Sequence, residues 1–350
     1  MEKLSEIKPP LEDKSQYLRE LASNFKKGQV FQVALELDIF TQLKTPRTAE
    51  TLSKVIGTAP EITGRFLDVL TALGLLDKMD GTYTTSPELY PFLSPEEPYY
   101  SKQLLLGDEE WENWLALKQL LKTGGLRQKE GDEYQYPYEE ELMEQIARTS
   151  LLGRLQKTLK AICAFPEFKT ARSLIDLGGG HGLFGIGLAQ ENPELEVTIF
   201  DRPGIAGLSR TYIKKYGMEA RVRAVEGDYV TDELGTGFDL ALELCSFEGN
   251  LAQARQFYRN VYSALGPGGL FIIQTFELDA DRTGPVLPLL HDLYKKMASR
   301  NMYIMDTGEI TGLLKDSGFE NEKVLNFSET GLCSQLVVVR KGKKQSTVRD

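Results

Sequence analysis

The chain has 350 residues, 41% of them hydrophobic, and a formal net charge of −10. That is material for about two domains with a sizeable core, and the acidic balance argues against a nucleic-acid partner or an anionic membrane surface. No stretch approaches the roughly 18 apolar residues of a membrane span, and the polar start MEKLSEIKPPLEDK has no signal-peptide core. Cys163, Cys245 and Cys333 show neither zinc-ligand spacing nor a disulfide framework, and His181 and His291 are too few for a histidine-rich metal site. The expectation is a reduced, cytoplasmic protein with no metal.

Residues 1–14 read as a polar arm, and 15–45 as helical, with Phe25, Val30, Val33, Leu35 and Ile39 as the apolar set. Residues 46–94 read as a winged helix. One short helix starts at Thr48 and stops at Gly57; a second opens at Pro60 and stops at Gly74. A hairpin follows, turning at Asp80-Gly81 with Tyr83 and Thr84 on the return strand. A winged helix suggests DNA binding. Yet this stretch holds four cations (Arg47, Lys54, Arg65, Lys78) against six acids (Glu50, Glu61, Asp68, Asp77, Asp80, Glu88), a poor surface for phosphates. A packing and dimerisation module fits better. Residues 100–170 read as mostly helical around an acidic, aromatic loop, KEGDEYQYPYEEE. Trp111, Trp114, Tyr134, Tyr136 and Tyr138 form either a lid over an aromatic substrate or ordinary core and surface. A helix from Tyr138 to Ala164 leads into the next domain.

Residues 173–203, SLIDLGGGHGLFGIGLAQENPELEVTIFDRP, give strand, glycine turn, helix, strand and a terminal acid. Glycines let a ligand approach backbone that a Cβ would shield. The helix N-terminus offers free N–H groups, and a carboxylate ending the second strand suits ribose hydroxyls. The dinucleotide pattern GxGxxG fits poorly, because Leu183 stands at its last position. Asp176, Gly178 and Gly180, read as D-x-G-x-G with Asp201 behind, suit S-adenosylmethionine (SAM), which has no phosphate.

The rest alternates strand and helix: a helix over 204–216, strands over 221–226 and 238–244, and a helix over 251–265. Gly266-Pro267-Gly268-Gly269 turns into the strand LFIIQTF, helices follow at 286–298 and 307–316, and a strand pair at 319–326 and 335–340 closes the fold. This pattern implies an α/β domain with a mostly parallel sheet. The boundaries are 1–100 for the helical, winged-helix domain, 101–165 for a linker and lid region, 166–342 for a Rossmann-like domain, and 343–350 for a polar tail.

The order LIDLGGGHG, VTIFDRP, VEGDYV, ELCSFEG and SALGPGGLFIIQTF, behind a winged helix, resembles class I SAM-dependent O-methyltransferases of the plant-type and bacterial small-molecule family. The resemblance spans roughly residues 15–340. It implies a Rossmann-like SAM domain behind a winged-helix dimerisation domain, an obligate homodimer, and a small aromatic acceptor. It places the methionine part of SAM, which leaves as S-adenosylhomocysteine, at Gly178 and Gly180, the ribose at Asp201, and the adenine at Gly227, Asp228 and Tyr229. It also points to 5-hydroxybenzimidazole, a precursor of cobamide lower ligands, as an acceptor.

The sequence departs from the family at the base. Counting back from SALGPGG puts Phe247 at the family's catalytic His and Glu248 after it, and the flanking carboxylates fall near Thr275 and Ile304. His291, in the segment that lines the acceptor pocket in relatives, is the substitute base, since an imidazole with an ordinary pKa of about 6.5 suits proton removal. Glu248 is the second candidate. Phe247 and Tyr294, one turn along from His291, line the pocket, and His181 shapes the cofactor turn. Methyl transfer to carbon or nitrogen, a non-methylating SAM-binding relative, and a SAM-sensing winged-helix regulator stay open.

Overall fold

The computed structural model describes residues 3, 13–101, 105, 108–124, 139–247, 249–298, 304–326 and 334–342. It divides into two units, Met1–Gly107 and Asp108–Asp350.

The first unit follows its local signals closely. Helix α1 spans Ser15–Glu36 and α2 spans Ile39–Gln42. The single helix expected over 15–45 is broken by Asp38, which sits in the left-handed region at φ 51°. Ala34, Leu35, Ile39 and Phe40 are buried, but Tyr17, Leu18, Leu21 and Phe25 lie more than half exposed along one stripe of α1. Helix α3 (Ala49–Ile56) starts where the Thr48 hydroxyl accepts the Thr51 N–H, and ends at Gly57, φ 72°. Helix α4 (Pro60–Ala72) has Pro60 at its first position. Strands β1 (Arg47–Thr48), β2 (Leu76–Met79) and β3 (Thr82–Thr85) form a sheet in the order β1-β3-β2. Asp80 and Gly81, both at positive φ, close the β2–β3 hairpin as a two-residue turn requires. Three of the four cations of the winged helix are paired: Lys54 with Glu50, Arg65 with Glu61 and Lys78 with Asp68.

The second unit is built on seven strands: β4 (Ser173–Leu177), β5 (Glu196–Asp201), β6 (Val222–Glu226), β7 (Phe238–Leu244), β8 (Leu265–Thr275), β9 (Phe319–Asn326) and β10 (Gln335–Lys341). Their order is β6-β5-β4-β7-β8-β10-β9. The first five run parallel, and β10 pairs antiparallel with both β8 and β9. Alternate residues of each strand serve opposite faces, so a sheet covered on both sides reads as continuous apolar runs. Ile175, Leu177, Ala241, Phe271 and Ile273 pack with Phe257, Tyr258 and Leu314 on one face. Leu174, Val197, Ile199, Leu240 and Ile272 pack with Ile162, Ile186 and Ile213 on the other.

Two expectations need correction here. β8 already begins at Leu265 and runs through the Gly-Pro-Gly-Gly stretch, with a register shift against β7 between Phe238 and Leu240. The helix expected over 138–164 is two helices, Glu139–Ser150 and Arg154–Cys163, separated at Gly153, whose φ of 129° no helix allows. Most of the acidic aromatic loop, including Tyr134, Tyr136 and Tyr138, lies outside the described residues, as does the tail from 343. Among the described residues no helix is long and apolar enough to cross a membrane.

Candidate active site

The site grows from the carboxyl end of β4. Gly178, Gly180 and Gly182 have φ of 64°, 56° and 76°, a left-handed region that side chains resist. The resulting turn is stitched to its neighbours. The Gly178 N–H donates to Phe200 O at 2.8 Å and the Ser209 hydroxyl donates to Gly180 O at 2.5 Å. The Gly180 N–H donates to Asp201 Oδ2 at 2.7 Å, while Asp201 Oδ1 accepts from Arg202 N. A side chain at Gly178 would collide with Ser246 and crowd Tyr229. Two motifs about 20 residues apart thus meet at one point, where β4 and β5 end side by side.

His181 caps the following helix, Leu183–Glu191: its Nδ1 accepts the Leu183 N–H at 3.1 Å, which puts the ring proton on Nε2. The ring is buried and stacks on Phe184. Burial, reinforced by the charge of Arg154, pushes its pKa down to about 3, so His181 is neutral and a weak base. Asp176 lies beneath the turn. It is 1% exposed, neither carboxyl oxygen has a well-formed hydrogen bond among the described residues, and side chains added at Gly179 or Gly185 would crowd it. Burial, with Asp201 adding repulsion, pushes its carboxyl up to about 7.

Past β6, the Gly227 N–H donates to Asp201 O at 2.9 Å. Asp228 makes an Asx turn, its Oδ1 accepting from Val230 N at 2.7 Å. The Tyr229 hydroxyl donates to Ser246 O at 2.9 Å and its ring lies 4.8 Å from that of Phe257. Gly178, Asp201, Gly227 and Tyr229 are therefore brought together.

The loop after β7 is held by a residue that the sequence reading missed. Glu243 is buried, and its Oε1 accepts from Ser246 N, Phe247 N and the Ser246 hydroxyl at 2.5, 2.9 and 3.1 Å. Desolvation raises its pKa. The Ser246 hydroxyl also lies 2.8 Å from Leu177 O. Cys245 turns the chain at φ 64° and is disulfide-bonded, which corrects the expectation of reduced cysteines; Cys163 is free. Phe247 is half-buried and stacks on Phe257 at 5.4 Å, against the edge of the core. Glu248 lies outside the described residues.

His291 and Tyr294 sit half-buried on the helix Val286–Ala298. The His291 ring is 5.3 Å from Phe276, the residue after β8, so it too lies near the carboxyl end of the sheet. Its neighbour Asp292 is clasped by Arg282 at 2.9 Å, and Arg282 also donates to Ile304 O at 2.7 Å.

Sequence reasoning also missed Arg154 and Gln274, which meet beside His181 and Phe184. A usable signal exists: Glu243 and Gln274 are polar residues inside apolar strands, FDLALEL and LGPGGLFIIQT, where unpaired polar groups are costly. Arg154 gave no signal, because only the break at Gly153 aims it inward. Among the described residues no cluster of His, Cys, Asp and Glu is arranged to hold a metal ion.

A family model described as an O-methyltransferase domain matches residues 128–320, and one described as an O-methyltransferase dimerisation domain matches residues 19–90. The chain belongs to this O-methyltransferase family and is a SAM-dependent methyltransferase. It is 27% identical over 338 residues to a 3-hydroxy-5-methyl-1-naphthoate 3-O-methyltransferase of Streptomyces sahachiroi, covering 92% of this chain and 94% of that one. It is 28% identical over 282 residues to an L-tyrosine C(3)-methyltransferase of Streptomyces lavendulae, covering 76% of each. The fold matches human N-acetylserotonin methyltransferase in complex with SAM, with a TM-score of 0.75, 20% identity, and 96% and 100% of the two chains covered. The residues fit such a cofactor: the turn leaves no room for a side chain at Gly178, and a carboxylate is fixed beside it.

Proposed function

We propose that this protein transfers a methyl group from SAM to the phenolic hydroxyl of a small aromatic or N-heterocyclic acceptor. The observation that carries this reading is the Gly180–Asp201 bond at the carboxyl ends of β4 and β5, the edge where open α/β sheets bind ligands. Gly178 and Gly180 hold the methionine part through backbone, Asp201 takes the ribose hydroxyls, and Gly227, Asp228 and Tyr229 frame the adenine. His181 and Asp176 support the turn from within. SAM supplies an electrophilic methyl group on a sulfonium.

A phenol, with a pKa near 10 in the free state, is far more nucleophilic deprotonated. His291 accepts that proton on its imidazole, a role worth about 10²–10⁴-fold, and Tyr294, one turn along, lines the acceptor side. Proton removal also activates ring carbons. The tyrosine C(3)-methyltransferase relative therefore supports carbon methylation as a second reading, and product analysis distinguishes the two. The exposed stripe of Tyr17, Leu18, Leu21 and Phe25 on α1, inside or beside the dimerisation match, supports a homodimer.

The test is methyl transfer from labelled SAM to a panel of phenols, catechols and hydroxylated N-heterocycles that includes 5-hydroxybenzimidazole. The expected result is an O-methylated product from at least one class. Tight SAM binding with no transfer across the panel would overturn the acceptor assignment.

A further inference from the structure

His291 stands on the helix Val286–Ala298, whose first turns expose Val286, Leu287 and Leu290. Apolar packing alone therefore defines the rotation of this stretch loosely. Polar contacts to one guanidinium define it better. Arg282 lies in the loop between β8 and the helix. Its Nη1 donates to Asp292 Oδ2 at 2.9 Å and its Nη2 to Ile304 O at 2.7 Å. Asp292 Oδ1 accepts the Ile304 N–H at 3.1 Å. Arg282 and Asp292 thus grip the N–H and the C=O of one residue between them. Glu309 Oε2 lies 3.8 Å from Nη2 and also accepts the Asp306 N–H at 3.0 Å, within the capping box of the helix Thr307–Asp316. Three segments meet at Arg282: its own loop, the helix of His291, and the start of the helix Thr307–Asp316.

Arg282 is held in turn by its loop. Its φ of 57° lies in the left-handed region that residues other than glycine seldom adopt. The Arg282 N–H donates to Asp279 O at 2.8 Å and the Asp279 N–H to Gly284 O at 2.9 Å, which closes the loop around it. Such a backbone persists where the surroundings over-determine it, and here the grip of the guanidinium does so. A planar fork of fixed donors suits that task better than a lysine ammonium. Asp292 is the neighbour of His291, and successive residues of a helix are turned by about 100°. A carboxylate locked on Arg282 therefore sets where the imidazole points. On its other side the imidazole meets Phe276, the residue after β8, at 5.3 Å between ring centres. We propose that Arg282 is a positioning residue for methyl transfer: through Asp292 it fixes His291 in the orientation in which the imidazole takes the acceptor's proton. The proposal rests on the assignment of His291 as base given above.

The test has two readings on the full chain. The chain holds only His181 and His291, so protein labelled at histidine Cε1 gives two imidazole signals by NMR, assigned with His291→Asn. Arg282→Gln is expected to shift the His291 signal, as its ring leaves Phe276, and to leave that of His181 in place. The second reading is transfer at saturating SAM to the panel phenol turned over fastest. Arg282→Gln should lower kcat roughly 10- to 100-fold, the scale of a misplaced reacting group, with SAM affinity near wild type, and Arg282→Lys should recover part of the loss. In the His291→Asn background Arg282→Gln should add no more than about twofold, because the two residues act as one unit. A folded Arg282→Gln with the His291 signal in place, or with its kinetic loss undiminished in that background, overturns the proposal. Should Arg282→Gln fail to fold, Asp292→Asn carries the same predictions, since it removes the charge of the pair at nearly constant shape. If His291→Asn alone leaves turnover unchanged, the base assignment falls and takes this proposal with it. A slow His291→Asn beside a full-speed Arg282→Gln overturns this proposal alone.

Discussion

The two units of this chain place their charges differently. In the first unit no acidic, basic or imidazole side chain is buried among the described residues. Its buried polar groups are hydroxyls such as Ser53, Thr63 and Thr85, each donating to a backbone carbonyl, and its charges form exposed pairs. In the second unit Asp176, His181, Asp201 and Glu243 are buried together near the carboxyl end of one sheet, with the guanidinium of Arg154 beside them. Desolvating charge opposes folding, and such clusters of perturbed groups mark functional sites. The first unit is built for packing and pairing. The second accepts a stability penalty in one place, at the ligand.

Several substitutions sharpen that contrast. The largest effect is expected at His291. His291→Asn should lower kcat about 10²–10⁴-fold with SAM affinity near wild type, read by single-turnover kinetics and calorimetry; unchanged turnover would reject it as the base.

Next comes the pH dependence of stability in the ligand-free protein. The Asp176 carboxyl is pushed up to about 7, whereas an unfolded aspartate titrates near 3.9. The folded chain holds that proton longer, so this group lowers stability as pH rises from about 4 to 7, and the loss persists above. His181 works in the opposite sense. Its pKa is about 3 folded and about 6.5 unfolded, so its contribution is full above pH 6.5 and is lost as pH falls toward 3. Between about pH 4 and 6.5 the two slopes oppose each other. Asp176→Asn should raise stability at pH 8 by roughly 1–4 kcal/mol and expose the His181 slope, so that the advantage shrinks toward pH 4. Urea unfolding across that range checks this, and parallel pH profiles for variant and wild type would contradict it.

The smallest effect is expected in the first unit. Lys54→Ala removes an exposed i,i+4 pair with Glu50, an interaction weakened by solvent screening, and should leave the thermal midpoint nearly unchanged. A large drop in the midpoint would undo the contrast.

Where residues act through local chemistry, the sequence was legible. Thr48, Gly57, Pro60 and Asp80-Gly81 set caps and turns through their own backbone preferences. The glycine turn and Asp201 were visible because both stand at strand ends, at a spacing fixed by one strand–helix–strand unit. Gln274 and Arg154 were not, because their meaning comes from partners 90 to 120 residues away in the chain, as with Arg154 to Leu244 and Gln274; Glu243, whose partners Ser246 and Phe247 are near in sequence, was visible only as a polar residue inside an apolar strand. The 5.4 Å stack of Phe247 on Phe257 was not legible either, because no motif encodes it. The break at Gly153 hid in the same way: its φ of 129° depends on how two helices pack, and a lone glycine in a helical pattern is usually tolerated.

The central claim is that the carboxyl ends of β4 and β5 hold the cofactor through Asp201. The most direct test is equilibrium titration of SAM into wild type and Asp201→Ala, with folding confirmed by circular dichroism. Loss of a charge-assisted contact to ribose, together with the anchor on Gly180 N, should weaken SAM by about 100-fold. Equal affinity in a folded Asp201→Ala would mean that the cofactor binds elsewhere, and would contradict the account.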